Sequence, residues 1–280
     1  MDSRDVVIVT GANSGIGKAT AHALAVTGAR VVLACRSLAR GEAALEDISR
    51  ATGSDRVELM HLGLSSLESA RSFASAFLRR HDRLSCLINN AGVILRDRQL
   101  SADGYEMQFA VNHLGHFLLT RELLPVLQAS APSRVVTVSS GAHRIRRIDF
   151  DDINLDRRYT IFGAYARSKL ANILFTRELA RRTAGSGVTA NCLHPGGVGT
   201  NIGVDRVTRA GSRIMQVLSA IMASPEKGAE TSVYLATAPE VATVTGAYFV
   251  KQRPRTPARR ALDDEAPRSA GAGEPAMGGA

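Results

Sequence analysis

Val6-Val7-Ile8-Val9-Thr10-Gly11-Ala12-Asn13-Ser14-Gly15-Ile16-Gly17 decides the fold: a β-branched apolar run, a turn with three glycines, then the start of an Ala/Leu-rich helix. The helical spacing runs from Gly15 to about Val26, Gly28 ends it, and Arg30-Val31-Val32-Leu33-Ala34 forms a second apolar run. Strand, helix and strand in this order predict a βαβ unit. In the turn, Gly11 permits a sharp reversal, and Gly15 and Gly17 let backbone and helix come close to a pyrophosphate held at the helix N-terminus. Asn13, Ser14 and Ile16 would lie along the same cradle. A strand-to-helix turn that merely needs positive φ is the plainer alternative. The preceding apolar strand favours a dinucleotide-binding turn.

Working outward, further strands are expected at Val57 to Met60, Leu84 to Ile88, Arg134 to Val138, Val188 to Leu193 and Ala247 to Val250, with helices between them. Near-continuous apolar strands that alternate with helices imply a parallel sheet covered on both faces. From His143 to Tyr159 the periodicity lapses into mixed charges and reads as a surface excursion. The stretch from Asn201 to Ala223 reads as a mobile lid over a pocket or as an ordinary packed helix. Residues 251–280 carry four of the nine prolines and only Leu262 and Met277 as large aliphatic side chains, too little to fold. The expectation is one domain over 1–250 and a disordered tail over 251–280.

The chain has 280 residues, 45% of them hydrophobic, which excludes wholesale disorder. Its net charge of +9 admits a nucleic acid, an anionic membrane surface or a phosphate-rich small ligand. Aromatic residues make up 5% and Trp is absent, which weakens a base-stacking reading. No apolar run approaches the ~20 residues needed to cross a bilayer, and the polar start Met1-Asp2-Ser3-Arg4-Asp5 has no signal-peptide anatomy, so a cytoplasmic protein is expected. Cys35, Cys86 and Cys192 lie far apart, which supports neither a disulfide framework nor a metal site.

The end of the second strand, Ala34-Cys35-Arg36-Ser37, is where a nucleotide-binding sheet meets the adenosine ribose. An acidic residue there would accept from the 2′-hydroxyl of NAD. Arg36 and Ser37 instead offer a guanidinium and a hydroxyl to a 2′-phosphate, so NADP(H) is the expected cofactor. Lys18 adds positive potential nearby or is simply solvated. Further along, Tyr165-Ala166-Arg167-Ser168-Lys169 opens a helix and puts Tyr165 and Lys169 on one face. A free phenol titrates near ~10. An ammonium at ~4 Å and an effective dielectric of ~20 stabilises its phenolate by ~4 kcal/mol, or ~3 pKa units. By itself Tyr-x-x-x-Lys recurs by chance.

Taken together, Thr10-Gly11-x-x-x-Gly15-x-Gly17, Asn89-Asn90-Ala91-Gly92, Asn112, Ser139-Ser140, Tyr165-x-x-x-Lys169 and His194-Pro195-Gly196 resemble the short-chain dehydrogenase/reductase family over about residues 5 to 250. Asn112-His113-Leu114-Gly115-His116-Phe117 and Ser168-Lys169-Leu170-Ala171-Asn172 make the chain most similar to the retinol-dehydrogenase-like and carbonyl-reductase-like branches. The resemblance implies an α/β fold, a doubly wound (Rossmann) seven-stranded parallel sheet with helices on both faces in a single domain, order 3-2-1-4-5-6-7. It implies Tyr165 as general acid/base, Lys169 lowering its pKa while binding the nicotinamide ribose, Ser140 on the substrate oxygen, and Asn112 holding a water in a proton relay. Asn89, Ala91 and Gly92 would lie against the cofactor. Pro195, Gly196, Val198 and Thr200 would orient its carboxamide and diphosphate. The resemblance also suggests a homodimer.

Gly63 departs from the pattern, because the family usually places there an Asp that contacts the adenine amino group; losing that bond would cost ~1–3 kcal/mol of cofactor affinity. Thr137 replaces a frequent Asn. The reading that follows is an NADP(H)-preferring oxidoreductase acting on a small-molecule alcohol or carbonyl, with an apolar ketone or aldehyde favoured by Met215, Leu218, Ile221 and Met222. The pocket wall is expected from His143 to Arg147, Gly196-Gly197 and the 201–223 segment. A noncatalytic NADP(H)-binding regulator is the rival, and a nucleic-acid or membrane binder driven by charge is a third.

Overall fold

The structure, a computed structural model, describes residues 1–196 and 224–262. Strand and helix alternate as the apolar runs require: β1 (Val6–Thr10), α1 (Gly15–Val26), β2 (Arg30–Cys35), α2 (Leu38–Thr52), β3 (Val57–His61), α3 (Leu67–Leu78) and β4 (Cys86–Asn89). A short α4 (Met107–Phe109) passes through a π-turn, Ala110–Leu114, into α5 (Gly115–Ala129). There follow β5 (Ser133–Val138), α6 (Ile161–Arg182), β6 (Val188–His194), α7 (Pro225–Thr237), β7 (Tyr248–Val250) and β8 (Arg253–Arg255).

The period of two along each strand sorts side chains into two layers. Ile8, Val32, Met60, Leu87 and Val135 point to one face and pack on Phe73 and Phe77 of α3, Leu119 and Leu123 of α5 and Leu179 of α6. Their neighbours Val7, Val9, Val31, Leu33, Ile88 and Val136 point to the other and pack on Leu24 of α1, Ile48 of α2 and Leu235 of α7. Burial on both faces explains why the strands read as unbroken apolar runs, each such side chain contributing about 1.5–3 kcal/mol.

The sheet order is β3-β2-β1-β4-β5-β6-β7-β8. The first seven strands are parallel as expected, and an eighth, β8, pairs antiparallel with β7. Lys251 and Gln252, at φ 51° and 61°, make the two-residue reversal between them. The folded part therefore runs past Val250: Ala261 is fully buried against Leu170, Ile173 and Tyr248. The expected tail over 251–280 is corrected to this extent, and residues 263–280 lie outside the described residues, as does the 201–223 segment.

The 143–159 stretch is also more than a surface excursion. His143 is fully buried, Arg98 Nε donates to the Asn154 carbonyl at 2.9 Å, Arg167 Nη1 to that of Asp152 at 3.1 Å, and the Tyr159 hydroxyl to that of Leu95 at 2.7 Å. Among the described residues no helix is long and apolar enough to cross a membrane, and Cys35, Cys86 and Cys192 are buried free thiols.

Candidate active site

Strand order reverses between β2 and β4, the two neighbours of β1, and the crevice at their C-terminal ends is where a doubly wound sheet takes a ligand. Thr10 ties this crevice together. Its hydroxyl accepts from the backbone N–H groups of Asn90 (2.9 Å) and Ala91 (3.0 Å) and lies 2.8 Å from His116 Nε2. The His116 Nδ1 sits 3.2 Å from the Asn112 carbonyl, which only accepts, so Nδ1 carries the proton and Nε2 receives the Thr10 hydroxyl. Burial pushes the His116 pKa down to about 3, so the ring stays neutral.

Gly11 has φ +67°, and a Cβ on it would stand 3.0 Å from Ala91 Cα; a Cβ on Gly17 would run into the Gly11 carbonyl oxygen. Only glycine allows β1, α1 and the β4 loop to approach so closely. Ser37, Ser66, Thr160 and Ser224 cap their helices with side-chain oxygens, whereas Ser14 makes no such bond and leaves the first N–H groups of α1 toward the crevice.

One cavity of about 550 Å³ collects most of the expected site: Gly11, Asn13, Ser14, Gly15, Ile16 and Gly17 from the first turn, Arg36 and Ser37 just after β2, Ala91 and Gly92 after β4, and Ser140, Tyr165, Lys169, Pro195 and Gly196 at the far end. Val198 and Thr200 lie outside the described residues. Asn89 does not line it. Its side chain is fully buried and donates to Thr120 Oγ1 at 3.0 Å and Thr137 Oγ1 at 3.5 Å, which also accounts for Thr137. Asn90 lines the cavity instead. The expected wall from His143 to Arg147 is corrected too: Ser139 to Ala142 face the cavity, while His143 is buried behind them and Arg144, Arg146 and Arg147 are exposed to solvent. Lys18 pairs with Asp47 of α2 at 2.6 Å.

Arg40, His194 and Ser65 are among the lining residues that carried no role in the sequence reading. Arg40, in the first turn of α2, adds a second guanidinium at the β2 end. His194 faces Gly141, and its Nδ1 is buried with no hydrogen-bond partner among the described residues. Ser65 lines the cavity beside Gly63, whose own N–H donates to Ser69 Oγ at 2.9 Å.

At the far end α6 supplies Tyr165 and Lys169, with Lys169 Nζ 5.6 Å from the Tyr165 ring centre and donating to the Val138 carbonyl at 3.0 Å. Ser140 hydrogen-bonds the Tyr165 phenol. Burial raises the Tyr165 pKa above the usual tyrosine value, and the Ser140 bond works against that shift. The same burial pushes Lys169 down to about 8. Desolvation thus outweighs the lowering of Tyr165 that the i, i+4 pairing alone suggested, because removal from water disfavours both charged forms before their mutual attraction acts. Asn112 sits in the π-turn between α4 and α5. Its Oδ1 accepts from Val93 N at 2.7 Å and its Nδ2 donates to Val93 O and Ser168 Oγ, both at 3.0 Å. It clamps the β4 loop to α6, with Gly92 keeping clear the space toward Lys169 Nζ.

A glycine-bounded crevice, an uncapped helix start, two guanidiniums at one end and a Ser-Tyr-Lys set at the other fit a nicotinamide dinucleotide. The short chain dehydrogenase family model matches residues 5–211. The chain is 48% identical to human retinol dehydrogenase 13, over 94% of this chain and 81% of that protein. It is 44% identical to human retinol dehydrogenase 14, over 94% and 82% respectively. A structure of Pseudomonas aeruginosa RhlG in an active-site complex with NADP superposes with a TM-score of 0.70 at 27% identity, over 88% of this chain and 93% of that one. The chain belongs to the short chain dehydrogenase family, in its retinol-dehydrogenase-like branch.

Proposed function

We propose that this protein is an NADP(H)-preferring oxidoreductase that interconverts an alcohol and a carbonyl, reducing an apolar ketone or aldehyde where NADPH prevails. The observation that carries the reading is the convergence of Ser140, Tyr165 and Lys169 at one end of the glycine-bounded cavity. The 2′-phosphate preference is supported by Arg36 and Arg40, which line the other end where a carboxylate would select NAD. The RhlG complex contains NADP, in keeping with that assignment. The apolar substrate is supported by the names of the relatives, which denote dehydrogenases of retinol.

When bound, the nicotinamide supplies or accepts the hydride. In the reducing direction Ser140 donates a hydrogen bond to the substrate oxygen, and Tyr165 gives that oxygen its proton as negative charge develops. Lys169, whose Nζ lies 5.6 Å from the Tyr165 ring centre, stabilises the phenolate left behind by charge attraction. Asn112 acts as a positioning residue, fixing the Gly92-Val93 backbone against α6.

Purified wild type and Tyr165→Phe are compared for NADPH oxidation dependent on an apolar aldehyde, with nonanal and all-trans-retinal as first probes. Removing the phenolic proton lowers kcat by about 100-fold or more, while NADPH binding, read by nicotinamide fluorescence, stays within a few-fold. Undiminished turnover in Tyr165→Phe would overturn the reading.

A further inference from the structure

His143 sits in the one-turn 3-10 helix Gly141–Arg144 that follows Ser140, inside a stretch otherwise rich in exposed charge, and yet it is fully buried. Both ring nitrogens are engaged. Nδ1 lies 2.7 Å from the Ser140 carbonyl oxygen, and the backbone N–H of Ala258 reaches Nε2 at 3.0 Å. A carbonyl can only accept and an amide N–H can only donate, so Nδ1 bears the proton and Nε2 the lone pair. The two partners therefore fix a neutral ring in one tautomer.

The ring joins the Ser140 turn to a segment more than a hundred residues away. Tyr248 of β7 packs edge-on against it, with ring centres 5.2 Å apart. The β8 strand then brings Thr256 within reach of the same turn, its carbonyl accepting from Arg144 Nη2 at 3.0 Å. Beyond Ala258, Ala261 packs on Leu170, Ile173 and Leu174, immediately after Lys169 on α6. The segment from Thr256 to Leu262 is thus wedged between the two elements that carry Ser140 and Tyr165.

We propose that His143 is a positioning residue that holds the Ser140 hydroxyl on Tyr165, and that the segment from Thr256 to Leu262 is part of the active-site framework because it sets the orientation of that ring. This rests on the reading of Ser140 and Tyr165 as the reacting pair. The bridge is specific in its direction: the Ala258 N–H selects the tautomer, and the tautomer supplies the proton for the Ser140 carbonyl. Loss of the Ala258 N–H leaves Nε2 unpaired in a buried site and frees the ring to turn or change tautomer, and Ser140 loses its anchor. Burial and the cations facing the ring, Arg144 on its own turn and Arg260 on the C-terminal turn, hold its pKa below the usual histidine value. The neutral form that the bridge needs is the one these surroundings favour.

Four variants test the assignment in the full chain: Ser140→Ala, His143→Leu, His143→Asn and Ala258→Pro. Ala258 has φ −62°, already suited to proline, so the last keeps the backbone angle while it removes the N–H and sets the proline Cδ against Nε2, displacing the ring from its bridge. His143→Asn retains a side-chain donor where Nδ1 stood. The expected result is a kcat about 10- to 100-fold lower in His143→Leu and about 10-fold lower in Ala258→Pro, with partial recovery in His143→Asn. In all of them the NADPH dissociation constant stays within about twofold, which separates misplacement of Ser140 from general loss of structure. In the wild type, 15N NMR of the imidazole places the proton on Nδ1. If Ser140→Ala loses activity while His143→Leu and Ala258→Pro retain it, the His143 proposal alone is overturned. If Ser140→Ala itself retains wild-type kcat, the underlying reading of Ser140 falls and the proposal with it. An Nε2 proton in the NMR spectrum also overturns it.

Discussion

The Glu106→Ala substitution should be one of the most damaging in the molecule, although Glu106 does not line the cavity. Its carboxylate is fully buried and caps α4 twice, accepting from Gln108 N at 2.8 Å through Oε1 and from Phe109 N at 2.9 Å through Oε2. Oε2 also stands 3.6 Å from Nη2 of Arg167, an ion pair slightly longer than a hydrogen bond. Arg167 is only 2% exposed, lies 5.1 Å over the Phe109 ring, and donates from Nη1 to the Asp152 carbonyl at 3.1 Å. Removing Glu106 leaves that guanidinium as an uncompensated buried charge. Breaking a buried pair from one side costs about 3–5 kcal/mol, a range that takes in the lost helix cap of about 1 kcal/mol. For a domain of this size each kcal/mol lowers Tm by roughly 2–4 °C, so a fall of about 6–20 °C is expected by circular dichroism. The double variant Glu106→Ala/Arg167→Met removes the stranded charge as well. It should be more stable than the two single effects summed predict, with a coupling of about 1–3 kcal/mol. A Tm for Glu106→Ala within about 2 °C of wild type, or strict additivity in the cycle, would refute the account.

The remaining predictions concern the cavity. Arg36→Asp removes a charge-assisted contact of about 1.5–3 kcal/mol and adds an acceptor for a ribose hydroxyl; NADPH affinity should fall roughly 10- to 150-fold and NADH affinity rise, by fluorescence titration at fixed salt, and unchanged affinities for both would remove Arg36 from the account. In Gly17→Ala the new Cβ meets the Gly11 carbonyl and, at 2.5 Å, Asn90 Nδ2, so the turn must shift; stability should drop by about 1–3 kcal/mol and dinucleotide binding should be lost, whereas binding within twofold of wild type contradicts the cradle. Because burial pushes Lys169 down to about 8, its ammonium is present below that pH and lost above it. Carbonyl reduction should therefore decline as pH rises through about 8, and Lys169→Arg, which keeps its charge, should lack that decline; a wild-type rate flat to pH 10 would exclude the charged role.

Much of the fold was legible because it depends on short-range pattern. The near-continuous apolar runs of β1, β2, β4 and β5 signal burial on both faces, and the glycines of the first turn mark where backbone must approach backbone. What escaped was decided by partners far away. The reversal at Lys251-Gln252 lacks the Asn-Gly or Asp-Gly chemistry that announces a hairpin, and β8 reads Arg-Pro-Arg, with a proline that argues against a strand interior. It persists because it is an edge strand and because Ala261 finds a place on α6. The sequence also could not tell Asn89 from Asn90, since neighbouring residues at a strand end point to opposite sides and only the positions of Thr120 and Thr137 show which one turns inward.

The sequence by itself determined the two-sided layering of the sheet and the glycine turn, which follow from local periodicity and from residue types that few conformations tolerate, and the Ser140, Tyr165 and Lys169 positions were legible through the resemblance to the family. Tertiary structure alone decided the balance of charge at Tyr165 and Lys169, the tautomers of His116 and His143, and the return of residues 256–262 to the Ser140 turn. Each of these depends on desolvation or on a single donor or acceptor brought in from a distant part of the chain, and such contacts leave no trace in local spacing.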